Sequence, residues 1–127
     1  MQKETRLWVQ KAESDVTGAR QLAAAKPRQN DQICFHCQQA AEKYLKAFLQ
    51  ELGLTIPRTH DLEELLDLLL PHDAALRGLR RGASFLSQFA VDYRHPGENA
   101  TKRQVEAALR WTQRTRQEVR TRLGLKP

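Results

Sequence analysis

Apolar residues recur at helical spacing along almost the whole chain, and this pattern constrains the fold more than any other feature of the sequence. Positions three and four residues apart share one face of a helix, whereas a half-buried strand alternates at every second residue. We find no segment that alternates in that way. With 127 residues, the chain has the size of one domain. The sequence therefore predicts a single all-α domain over residues 1–127.

Helix boundaries are predicted from residues that stop or start helices. Gly53 is a usual residue just past a helix end, and Pro96 keeps His95 out of the α conformation and so ends a helix. Thr59 is predicted to cap one helix, and Thr101 with Gln104 fits a capping box at the start of another. The five predicted helices span about 3–25, 31–52, 59–70, 73–93 and 101–123.

The lengths of these helices favour a bundle. A helix of about 20 residues is about 30 Å long, which suits side-by-side packing through short turns. We therefore expect an antiparallel up-and-down four-helix bundle with one additional short helix. Its inner faces are predicted to contain Leu7, Trp8, Ala12, Val16, Ala19, Leu22 and Ala23 in the first helix, and Ile33, Cys37, Ala41, Tyr44, Phe48 and Leu52 in the second.

Charge is unevenly distributed along the chain. Residues 101–127 carry eight Lys and Arg and two Glu, a balance equal to the whole-chain net charge of +6, whereas residues 60–73 carry five acids and no Lys or Arg. Such asymmetry indicates either an anionic partner or a solvated helix face. Arg110, Arg114 and Arg120 are the candidate basic surface.

The two cysteines, Cys34 and Cys37, are separated by two residues. A redox pair of this spacing usually follows a strand, and a zinc site would need further ligands at paired spacing. Neither is predicted here, so we expect the cysteines to pack in the core and expect no metal or other cofactor. A bridge between these two cysteines would staple nothing, which suits a reducing compartment, and no stretch near either end is long and apolar enough for a membrane span or a signal peptide. We therefore expect the protein in the cytoplasm.

Four motifs in the order of the chain resemble those of the HEPN family of small helical proteins. The second helix reads CFHCQQAAEKYLKAFL from Cys34, the next helix opens with THDL from Thr59, and YRHP follows from Tyr93. Trp8, Ala12 and Asp15 match the first helix of the family. This resemblance implies a four-helix bundle that is usually dimeric and is often encoded beside a minimal nucleotidyltransferase, as a toxin–antitoxin-like module.

The resemblance leaves the activity open. Many HEPN proteins are metal-independent RNases, and others were first proposed to bind nucleotides. The RNase motif of the family is an Arg followed by a His after four to six intervening residues, and no Arg in this sequence is followed by a His at that spacing. We therefore expect a protein that binds nucleotide or RNA and its partner protein. The alternatives are RNA cleavage and an interaction protein that docks its basic last helix on an acidic partner.

The Asp92–Pro96 break contains the best candidates for either activity. Cleavage of RNA without a metal needs a base for the 2′-OH proton and a cation for the developing phosphorane charge, which His95 and Arg94 could supply. Alternatively, Tyr93 packs, Arg94 pairs with Asp92 or a helix end, and the segment only turns the chain. One side of the second helix carries a row of polar residues at helical spacing, namely His36, Gln39, Lys43, Lys46 and Gln50. This row is either a face that binds phosphate or a partner protein, or a solvated helix face.

Overall fold

The computed structural model describes residues 1–91 and 95–127, and the described part of the chain is all-helical. Five α-helices and one 3-10 helix follow one another in the chain. They are α1 (Lys3–Ala24), α2 (Asn30–Glu51), α3 (Leu62–Leu69), the 3-10 helix Ala74–Leu79, α4 (Arg80–Ser87) and α5 (Lys102–Arg122).

The long helices begin and end close to their predicted boundaries. At the end of α2, Gly53 has a φ of 74°, and the amide of Leu54 donates to the carbonyl of Leu49 at 3.0 Å. This is the left-handed helix ending that favours glycine. At the start of α5, Thr101 and Gln104 form the predicted capping box.

The short helices differ from the prediction. Asp61, not Thr59, caps α3, because its carboxylate accepts from the amide of Glu63 at 3.0 Å. The predicted helix over 73–93 is a 3-10 helix followed by α4, which ends at Ser87. The Ser87 hydroxyl donates to the carbonyl of Ala83 and accepts from the amide of Leu62, and this tertiary contact fixes the end of α4 at the start of α3.

Helix α2 is the centre of the bundle. Thirteen of its residues are buried, and the hydrophobic core around it draws on every other helix. The prediction was wrong for two inner residues. Leu7 and Leu52 are 48% and 38% exposed, because they lie at the edges of their helix faces. The predicted inner residues that are buried in the core are Ala12, Val16, Ala19, Ile33, Cys37, Ala41, Tyr44 and Phe48. The core of α1 and α2 also contains residues that the predicted faces left out, namely Val9, Cys34, Ala40, Leu45, Ala47 and Leu49.

Contacts along α2 fix the direction of its neighbours. Thr5 bonds Glu51 and Asp15 bonds His36, so α1 runs antiparallel to α2. The Thr112 hydroxyl donates to the carbonyl of Cys37, and Arg120 lies farther along, at Tyr44, so α5 runs parallel to α2. The order and directions of the helices from α1 to α5 are those of the predicted up-and-down bundle.

Candidate functional site

The predicted Asp92–Pro96 site is only partly within the described residues. Asp92, Tyr93 and Arg94 lie outside them, so the proposed pairing of Arg94 with His95 stays a prediction. The His95 side chain is 75% exposed, and its Nδ1 is 3.9 Å from an Oε1 of Glu98 that is itself in an exposed side chain. The imidazole of His95 is therefore open to solvent and to any ligand.

Both flanks of this segment are anchored to the bundle. On the α4 side, Ser87 is bonded to the amide of Leu62 at 3.0 Å. On the α5 side, the amide of Ala100 donates to Asp31 at 2.6 Å, and its carbonyl accepts from Asn30 at 3.0 Å. Ser87 thus lies at the start of α3, and Ala100 lies at the starts of α2 and α5.

The polar face of α2 begins with a cluster around Asp15 of α1. The Asp15 carboxylate accepts from Nδ1 of His36 at 2.8 Å and from the ammonium of Lys43. Because a carboxylate only accepts, the His36 ring carries its hydrogen on Nδ1. His36 and Lys43 are therefore held by an opposite charge.

A second cluster lies farther along α2, around the buried carboxylate of Glu42. It accepts from Lys46 at 2.9 Å, from Nδ1 of His60 at 2.9 Å and from Gln38 at 3.2 Å. The Lys46 side chain is only 9% exposed, and its ammonium lies 5.8 Å from the ring centre of Trp8. Lys46 is thus a buried, paired cation. The sequence pattern predicted it on an open face, because the pattern cannot show that the chain between α2 and α3 folds back over α2 and brings His60 to Glu42.

These pairings leave the α2 face polar but nearly uncharged. Gln39 is partly exposed and donates to Gln38 at 2.7 Å, and the partly exposed ring of Phe35 meets His36 edge-on at 5.8 Å. Surfaces with aromatic and amide groups and few free charges are typical of the cores of protein interfaces. The face suits a protein partner better than a phosphate.

The C-terminal half of α5 uses its arginines inside the protein. Arg116 makes two bonds to Glu13 at 2.8 and 3.0 Å, and Arg120 lies 3.2 Å from the hydroxyl of Tyr44 and 3.9 Å from Glu13. The bond from Arg116 lowers the pKa of Glu13. Burial and the bond to Glu13 raise the pKa of Tyr44 to about 12. Arg120, predicted as basic surface, is therefore mostly buried in an ion-pair network.

The part of α5 from Lys102 to Arg114, which we call its N-terminal half, is different. Arg103, Arg110 and Arg114 are exposed, and none forms an ion pair with a residue that the structure describes. The guanidinium of Arg114 lies 5.4 Å from the ring centre of Trp111. Two of the three predicted basic-surface residues, Arg110 and Arg114, thus carry charge that the described part of the fold does not neutralise.

The two cysteines lie in the core. Cys34 and Cys37 are fully buried and not disulfide-bonded. Burial raises the pKa of Cys37 to about 12, which makes its thiol a poor nucleophile. Within residues 1–91 and 95–127, no three His, Cys, Asp or Glu side chains come together as a metal site. No described helix is long and apolar enough to span a bilayer.

Comparison with known proteins agrees with this architecture. The structure is similar to TT1696 from Thermus thermophilus, with a TM-score of 0.79 and 24% identity over 94% of this chain and 98% of the other. It is also similar to ST0689, an archaeal HEPN homologue, with a TM-score of 0.75 and 25% identity over 96% of this chain and 98% of the other. No significantly similar sequence was found among curated proteins.

The class defined by this fold is that of small all-helical bundles. Residues 5–122 match the family model of the HEPN domain, so this chain belongs to the HEPN family.

Proposed function

We propose that this protein is the HEPN component of a two-gene, toxin–antitoxin-like module, in which it binds nucleotide or RNA and a minimal nucleotidyltransferase. The observation that carries the anion-binding part is the division of α5. Arg116 and Arg120 are both paired with Glu13 within the fold, whereas Arg110 and Arg114 are exposed and have no ion-pair partner among the described residues. Exposed guanidinium groups bind phosphate oxygens through planar, paired hydrogen bonds.

The protein partner is proposed to bind the α2 face, through His36, Gln39 and Phe35. Asp15 and Glu42 neutralise the lysines of this face, so docking against it removes few free charges from water. The occupant is the nucleotidyltransferase, and a second copy of this chain forms a homodimer at another face. The reduced, buried cysteines fit the cytoplasm, where we place the module.

The alternative is a metal-independent RNase. The exposed imidazole of His95 favours it, because within residues 1–91 and 95–127 the ring forms no ion pair other than that with Glu98. His95 would take the 2′-OH proton, and Arg94 would stabilise the phosphorane. Incubation of labelled RNA with the wild type and with His95→Ala decides between the two. We expect intact RNA with both proteins; cleavage by the wild type alone would establish the RNase instead.

Calorimetry tests the partner. The purified protein is titrated with the nucleotidyltransferase encoded beside it, and we expect a tight complex. Gln39→Arg places a charge in the centre of the α2 face and should abolish the complex. Gln117→Arg adds the same charge on the exposed side of α5 and should leave binding unchanged. A wild-type protein that does not bind, or equal losses in both variants, contradicts the proposal.

A further inference from the structure

Helices α4 and α5 meet at a seam that Gly82 makes possible. A methyl group at Gly82 would come within 2.3 Å of Cε3 of Trp111, and only glycine permits such a close approach of backbone to a rigid ring. A methyl group at Gly78 would come within 2.8 Å of Nη2 of Arg114, the flexible end of a side chain. The indole of Trp111 and the guanidinium of Arg114 are therefore laid directly across the backbone of α4 and the 3-10 helix before it.

This seam brings arginines of two elements onto one surface. Arg77 and Arg81 immediately precede Gly78 and Gly82, so their backbones lie beside the positions that Arg114 and Trp111 cover, and we infer that their side chains share this surface. Both are exposed, and neither forms an ion pair with a described residue. The α4–α5 arginine surface, as we name it, consists of Arg77, Arg81, Arg103, Arg110 and Arg114, with Trp111 between them.

The surface keeps its charge. Glu106 lies three residues after Arg103 and four before Arg110 on α5, and it forms no ion pair with either of them. Arg80 provides the contrast, because it is bound to Asp67 and lies 3.6 Å from Glu63. Adjacent residues 80 and 81 thus have the same charge and different electrostatic surroundings.

We propose that the α4–α5 arginine surface binds the phosphodiester backbone of a nucleic-acid strand. The inference rests on the proposed function and specifies its ligand. From Arg103 to Arg114 the cations extend over about 16 Å of helix, which exceeds the reach of one mononucleotide and matches several consecutive phosphates. Guanidinium groups beside an aromatic ring are typical of surfaces that follow a strand.

An acidic protein is the competing occupant, and the distribution of apolar residues argues against it. Protein interfaces need apolar anchors at their centre. The large apolar side chains that are exposed in the described chain lie elsewhere, at Met1, Leu7, Leu52, Leu68 and Val91. Trp111 is only partly exposed, because its ring packs against Gly82, so the arginine surface has no fully exposed apolar anchor and its attraction is mainly electrostatic.

Fluorescence anisotropy tests the proposal with labelled single-stranded RNA and DNA of one sequence and about 12 nucleotides, a length within the site sizes of single-strand-binding folds. We expect similar affinities for both strands. Arg81→Gln/Arg110→Gln/Arg114→Gln should weaken binding about 100-fold at 0.1 M salt and lower the slope of log affinity against log salt by about 2, since each phosphate contact contributes about 0.7.

Arg80→Gln and Arg81→Gln form the matched pair. Both remove one charge, and we expect about fivefold weaker binding for Arg81→Gln but little change for Arg80→Gln. Equal effects would overturn the proposal in favour of net charge alone. Circular dichroism and thermal melting confirm that each variant is folded.

Two further outcomes separate this inference from the proposed function. If the triple variant still binds nucleic acid and His95→Ala does not, the proposal that the arginine surface binds the strand is overturned. The proposed binding of nucleotide or RNA then stays in place. A wild type that binds neither nucleic acid nor nucleotide overturns both. Binding of a labelled poly-glutamate peptide as tightly as RNA overturns the nucleic-acid ligand in favour of an acidic protein.

Discussion

The two halves of α5 carry the same kind of side chain and use it differently. Arg116 and Arg120 converge with Tyr44 on Glu13, across the interface with α1 and α2. Arg110 and Arg114 lie six and two residues before Arg116, and both remain exposed. The number of arginines in a helix therefore does not determine how basic its surface is, because the surrounding fold decides which charges are paired.

The largest expected effect concerns the seam that positions the N-terminal half. Gly82→Ala forces a methyl group against the ring of Trp111, which costs about 3 kcal/mol in overpacking, and the better helix propensity of alanine returns about 1 kcal/mol. We expect a net loss of about 2 kcal/mol in the free energy of unfolding, measured by urea denaturation.

Gly78→Ala is the control for this seam. Its methyl group meets only the flexible tip of Arg114, which can move away, so we expect a change within about 0.5 kcal/mol. Equal losses in the two variants would mean that the close contact of Gly82 with Trp111 does not hold the helices together.

A slightly smaller effect is expected at the acid that joins the C-terminal half to α1. Glu13→Gln removes the charge that Arg116 and Arg120 share, and charged hydrogen bonds contribute about 1.5 to 3 kcal/mol. Since Glu13 is 34% exposed, we expect the lower value, about 1.5 kcal/mol. Glu106→Gln removes an exposed, unpaired carboxylate of the other half and should change stability by less than about 0.5 kcal/mol. The comparison fails if both variants lose the same stability.

The prediction of α5 from sequence shows what local patterns can provide. Thr101 and Gln104 are three residues apart, so their capping box could be read directly from the chain. The contact between Glu13 and Arg116 joins residues 103 positions apart, and no local pattern indicates it. Arg120 was therefore predicted on the surface, together with Arg110 and Arg114.

The same distinction applies to the candidate site on α2. Its helix, its buried stripe and its family were predicted, because they depend on spacing within one segment. The burial of Lys46 depends on Trp8 from α1, and the orientation of His60 depends on a chain connection that returns to Glu42. The Glu42–Lys46 spacing of four residues was the one local signal that could have indicated this ion pair.

The smallest expected effect is on the pH dependence of stability. Bonds from Arg116 and Arg122 lower the pKa values of Glu13 and Asp73 in the folded protein. A carboxyl group with a lowered pKa stabilises the fold above its unfolded pKa, and this contribution is lost as the pH falls through the folded value. We expect the urea midpoint to fall between about pH 5 and about pH 2, and to fall less steeply in Glu13→Gln. A Glu13→Gln profile as steep as that of the wild type would contradict the role of Glu13.

The most direct test of the division of α5 measures two properties in two double variants of equal charge. Arg110→Gln/Arg114→Gln and Arg116→Gln/Arg120→Gln are each compared with the wild type in melting temperature and in affinity for single-stranded RNA. The first variant should keep its melting temperature and lose affinity, and the second should lose melting temperature and keep most of its affinity at a temperature where it is folded. Equal losses of affinity in the two variants, with equal melting temperatures, would contradict the account.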